Sequence, residues 1–143
     1  MSSSKKLEVK DQSVQFHINL MQSTISRMAN SSAACKTAAV AIVSLLVTLS
    51  PEDFRKDAIL LAILPIISFA SMDTYYLSLE KDLRSQYNEF VAKLHMGTLE
   101  EGELYRITAR NTRFYKQIVS PSIYIYYGSM LIMSILARLT ILK

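Results

Sequence analysis

The side chains of this sequence that could do chemistry are few, and most stand where charged and apolar stretches meet. Arg27, Lys36 and Asp73 flank two apolar runs, 37–50 and 58–72. Ionised groups at the edge of a hydrocarbon layer are costly, so they are normally paired or functional. Asp73 with Lys36 or Arg27 is the expected ion pair, fixing helix depth and register; an ion pathway is the sharper alternative. Glu80 and Arg84 stand four apart, the spacing that joins opposite charges along one helix face. Arg106, Arg110, Arg113 and Lys116 would stack on one face of a helix, a surface for anionic lipid or a phosphate-bearing ligand. Glu100, Glu101 and Glu103 just upstream favour plain lipid contact there.

Catalysis has little to work with. His17 and His95 stand alone, without Cys or carboxylate partners at metal-ligand spacing. There is no nucleophile elbow and no phosphate-cradling glycine loop. A membrane kinase of the diacylglycerol kinase type would need clustered carboxylates and an Asn to hold Mg²⁺ and ATP. Asp73, Glu80 and Asn30 are too few and too scattered for that. Cys35 is the single cysteine, which excludes an intramolecular disulfide. It precedes its apolar stretch, whereas a lipoprotein box needs that stretch first. The expectation is a chain that is not an enzyme and carries no metal or cofactor.

Positioning such residues falls to helices. Of 143 residues half are hydrophobic, with 3 Gly, 3 Pro and no Trp. Such a balance suits an all-α chain of one domain better than a β-rich fold. The third apolar run is 118–137. Extending the first back to Ser32, and the second through Tyr75 and Tyr76, brings each to the roughly 20 residues a bilayer requires. Three transmembrane helices are therefore expected. A buried hairpin in a soluble protein is the alternative, but a chain this short cannot easily bury three such runs. The polar stretch before the first run is too long for a signal-peptide n-region. Twelve Lys and Arg fall in 1–36 and 80–117, against four in 51–57 and after the third run. The bias predicts an inner-membrane protein with a cytoplasmic N-terminus and an outside C-terminus. The net charge of +4 is mostly this bias, so no nucleic-acid partner is expected.

Val14, Ile18, Met21, Ile25 and Met28 recur at spacings of four and three, a heptad seam for packing on another helix. The seam predicts one helix over 12–49, cytoplasmic at first and then the first span. Ser50-Pro51-Glu52-Asp53 predicts a capping box with Ser50 as N-cap and Pro51 first in the next helix. That second helix, 51–95, forms an antiparallel hairpin with the first and continues into the cytoplasm through Tyr76, Leu79, Leu83, Phe90 and Leu94. Pro65 should kink it, with Ser68 and Ser71 satisfying the freed carbonyls, and Gly97 should end it. Residues 96–120 form a connector with one helical stretch around 104–114, and Ser120-Pro121 opens the third span, 121–142. Tyr124, Tyr126 and Tyr127 would supply its interfacial aromatic belt. Asn30, Ala34, Thr37, Ala41, Ser44 and Thr48 make a small-residue stripe on the first span, a helix-packing face for this chain or a second copy.

The runs Ile25-Ser26-Arg27-Met28-Ala29-Asn30-Ser31 and Cys35-Lys36, Asp73-Thr74-Tyr75-Tyr76-Leu77 with Glu80, Arg84 and Tyr87, and Tyr127-Gly128 together carry a resemblance. The chain resembles a family of small bacterial integral membrane proteins with no assigned chemistry. It departs from that family in lacking Trp after Lys36 and beside the last span. In size and layout it is also similar to short membrane effectors of antiphage systems, which assemble in the bilayer and permeabilise it. The resemblance implies the three-span topology. The heptad seam, the small-residue face and the boundary charges point to a homo-oligomeric membrane protein that responds to a signal or a cytoplasmic protein partner, with a pore as one response. A structural or accessory subunit scaffolding another membrane complex is the alternative.

Overall fold

The computed structural model of the chain describes residues 8, 10–108 and 117–141, and every regular element among them is helical. Helix α1 runs Gln12–Leu49, 38 residues without a glycine or proline to break it. A single 3₁₀ turn, Glu52–Phe54, leads to α2 (Arg55–Leu61), which gives way at Ala62 to α3 (Ile63–Met96). Helix α4 spans Pro121–Ile141. Three segments, Gln12–Leu49, Asp57–Met96 and Pro121–Thr140, are long and apolar enough to cross a membrane.

The break at Ala62 follows from Pro65. Proline has no N–H to offer the carbonyl four residues back, and its ring crowds that carbonyl, here Leu61. Ala62 keeps helical angles and its N–H bonds Ala58 O at 2.9 Å, while the Ile66 N–H to Ala62 O bond stretches to 3.3 Å. The two helical segments thus meet at Ala62, within the one long apolar stretch Asp57–Met96. Ser68 and Ser71 do not relieve the proline; their hydroxyls bond Leu64 O and Ile67 O, each at 2.9 Å. The capping box at Ser50 is likewise replaced. The Ser50 hydroxyl turns back to Leu46 O in α1, and α2 starts after Phe54 without a side-chain cap. A serine four residues past a free terminal carbonyl can serve either helix, and here it closes the first.

Gly97 ends α3 in the left-handed conformation, φ 65°. Gly97 N–H bonds Leu94 O and Thr98 N–H bonds Lys93 O, the paired bonds of a Schellman motif. Gly97→Ala places a Cβ in that strained region and is expected to cost about 1 kcal/mol. Equal unfolding midpoints for the two proteins would contradict it.

The connector differs from expectation. Glu100 and Glu103 close a capping box around one 3₁₀ turn, Glu101–Glu103. Tyr105 then takes a positive φ of 62°, and Arg106, Ile107 and Thr108 are not helical. The helix expected over 104–114 is thus absent from its described part, and 109–116 lie outside the described residues.

Two apolar clusters hold the helices together. Val14 and Met21 of α1 pack with Phe90 and Leu94 of α3 and Leu99, with Ile18, Tyr87, Leu104 and Ile107 at the rim. Ala39, Ile66, Ile123 and Tyr127 form the second, where α1, α3 and α4 meet. Gln22 bonds Tyr87 at 3.2 Å and Ser32 bonds Asp73, so numbers rise along α1 as they fall along α3. In water, burying each large apolar side chain of the first cluster is worth about 1.5–3 kcal/mol. Among its described residues α4 buries only Ile123 and Tyr127.

Candidate functional site

The three long helices meet at one polar node. Ser32 and Lys36, one turn apart on α1, both face Asp73 of α3. The Ser32 hydroxyl donates to Asp73 Oδ1, and Lys36 Nζ donates to Ser32 Oγ at 3.2 Å. Lys36 Nζ also lies 2.6 Å from Asp73 Oδ2. That oxygen has no well-directed hydrogen bond, so the Lys36 contact is an ion pair and Ser32 supplies the directional one. Asp73 is 0% exposed and the Lys36 side chain 21%. The carboxylate is wholly enclosed, while the Lys36 side chain is only partly covered.

Helix α4 joins through two tyrosines. The Tyr126 hydroxyl donates to Lys36 O at 3.1 Å and Tyr127 to Phe69 O at 3.4 Å. Of the expected aromatic belt, only Tyr124 points outward; Tyr126 and Tyr127 turn inward and pack edge to face, 5.2 Å apart. Cys35 is buried beside the node. Arg27, the other candidate partner of Asp73, is exposed. The arrangement fixes the register of α1 against α3. No group of three or more metal-ligating side chains occurs among the described residues.

The other sequence candidates scatter. Arg84 Nε bonds Glu80 Oε1 at 2.8 Å along the exposed side of α3. Arg106 is exposed in the non-helical connector, so it does not share a helix face with Arg110, Arg113 and Lys116, which lie outside the described residues. Asn30, Ala34, Thr37, Ala41, Ser44 and Thr48 are all exposed. Among the described residues the stripe stays at the surface, and α1 turns Ser32, Cys35 and Ala39 inward instead.

His17 is the residue that sequence reasoning missed. It is buried, and its Nδ1 accepts the Tyr105 backbone N–H at 2.9 Å, 88 residues away. Its ring lies 4.6 Å from Phe90 and 6.0 Å, edge to face, from Tyr105. Burial pushes the His17 pKa below its ordinary value, and accepting at Nδ1 requires the same neutral form with the proton on Nε2. Beside it a cavity of about 300 Å³ opens between α1, α3 and the connector, lined by Met21, Gln86, Glu89, Lys93, Glu103 and Arg106. Lys93 binds Glu103 and holds that carboxyl below its usual range. Gln86 donates to Thr108 O at 2.7 Å, and Lys81 to Gln117 at 2.5 Å. One signal was available: position 17 falls on the same face as Val14 and Met21, so a histidine there had to be buried.

Compared with known proteins, the chain matches no family model, no curated protein and no solved structure.

Proposed function

We propose that the chain is a non-enzymatic, self-associating inner-membrane protein whose cytoplasmic helices receive a signal or protein partner and whose three spans respond by rearranging, opening a pore. The hairpin of α1 with α2 and α3 crosses the bilayer, its lower halves stand in the cytoplasm, and α4 leaves the C-terminus outside. The carrying observation is the node of Ser32, Lys36, Asp73, Tyr126 and Tyr127. It links all three long helices at one level, directly above the part of α1 and α3 that packs like a soluble helix pair. The distribution of Lys and Arg supports the orientation. The sequence resemblance to small bacterial membrane proteins and antiphage effectors supports the setting.

Self-association is supported by the exposed stripe Ala34, Thr37, Ala41, Ser44 and Thr48. Small residues let helix backbones approach closely in lipid. Ala41→Cys should give a disulfide-linked dimer when membranes are oxidised, whereas the native chain, with only buried Cys35, should stay monomeric on the gel. A crosslink to one different protein would favour the accessory-subunit reading instead. A membrane-potential dye tests the pore: unchanged potential under every inducing condition removes that part of the proposal.

A further inference from the structure

A second cavity lies at the far end of the molecule from the His17 cavity. It is a trough of about 150 Å³ between α2 and α4, walled by Ile59, Leu60, Ile63, Ile135 and Leu139. Two polar side chains enter it. Ser134 is satisfied, its hydroxyl bonding Met130 O at 2.8 Å. Arg138 is not: its Nε is buried without a hydrogen-bond partner, and no ion pair reaches it among the described residues. A guanidinium is always charged, and a partly buried one strongly favours an anion that accepts two parallel hydrogen bonds. Arg138 belongs to the last turn of α4, where a span ends. The helix dipole favours a cation there but calls for neither an apolar trough nor an anion.

Resting on the membrane reading above, we infer that this trough binds one anionic phospholipid, its phosphate on the Arg138 guanidinium and an acyl chain along Ile59, Ile63, Ile135 and Leu139. At a helix end the guanidinium stands at headgroup depth, where phosphates are found. The apolar walls continue inward from it, as an acyl chain does. The lipid would fasten α4 to α2 at the end where no polar bond among the described residues joins them; the tyrosine bonds all lie at the other end of α4.

The test is native mass spectrometry of detergent-purified protein given phosphatidylglycerol or phosphatidylcholine. The wild type is expected to retain one phosphatidylglycerol and to bind phosphatidylcholine, whose choline cation offsets the same phosphate, about fivefold more weakly, the scale of one cation beside a net anionic headgroup. Arg138→Gln should remove the preference. Leu139→Trp, which fills the trough and keeps the charge, should lower retention of both lipids. Equal retention of the two lipids by the wild type, or undiminished phosphatidylglycerol retention in either variant, overturns the inference. Fractionation separates this from the broader reading: a chain integral to membranes but without lipid preference defeats the lipid site alone, and a chain soluble without detergent defeats both.

Discussion

Lys36→Met is expected to destabilise the folded chain by about 3 kcal/mol, because it strands an enclosed carboxylate. Removing one partner of a buried pair typically costs about 3–5 kcal/mol. The lower end applies here, since the Ser32 hydroxyl remains on Asp73 Oδ1 and the Lys36 side chain is 21% exposed to begin with. Asp73→Asn should cost less, about 1–2 kcal/mol. The Lys36 side chain left behind is already 21% exposed, and an amide oxygen still accepts from Ser32. The double variant should lose clearly less than the two singles together, because it leaves no unpaired charge. Unfolding in mixed detergent with rising SDS measures all four proteins. Strictly additive losses would mean that the two charges act independently.

The second large effect concerns His17. His17→Phe keeps the ring volume and the contact with Phe90 but leaves the Tyr105 N–H without an acceptor, a loss of about 1–3 kcal/mol. Much of it should appear locally. Tyr105 is held at φ 62°, a backbone region where a non-glycine residue stays only under constraint. Without the histidine acceptor, residues 104–108 should leave the cavity mouth and become cleavable by protease. Acid should do the same to the native chain. Well above pH 6.5 the imidazole is neutral folded or unfolded, and its full contribution is present. As pH falls through 6.5 the unfolded chain binds the proton first, because burial has lowered the folded value, and stability declines until that lower value is passed. Glu89 and Glu103 at the cavity rim moderate the effect by favouring the imidazolium, while Lys93 and Arg106 oppose it. Protease sensitivity of 104–108 that is flat between pH 7.5 and 5, or that rises equally in His17→Phe, would refute this account.

These two sites were legible in the sequence to different degrees. Helix α1 was readable end to end, because 38 residues without Gly or Pro and a heptad seam leave no other reading. Gly97 was readable as a stop for the same local reason. The pairing of Lys36 with Asp73 was one of two options, and only the turn length between α1 and α3, which sets register, separates Lys36 from Arg27. Ser50 misled because a serine before proline caps forwards or bonds backwards with equal local chemistry, and tertiary geometry chooses. The connector failed for a further reason. Arg106, Arg110 and Arg113 have helical spacing, but Tyr105 is captured by a histidine 88 residues away, a contact that no local pattern encodes. The stripe from Ala34 to Thr48 was visible as a pattern, while the side it faces depended on which residues of α3 lay opposite.

The unbroken course of α1 has a mechanical consequence. At 1.5 Å per residue, the stretch from Lys36 down to Gln12 is about 36 Å long. With the Lys36–Asp73 pair as fulcrum, a tilt of about 10° in the 37–49 half of α1 swings the far tip by about 6 Å. The 2.9 Å bond between His17 and Tyr105 cannot stretch over such a swing. A lever of this length therefore obliges the connector either to travel with α1 or to let go. Small tilts of the far half of α1 and attachment of residues 104–108 become two readings of one coordinate.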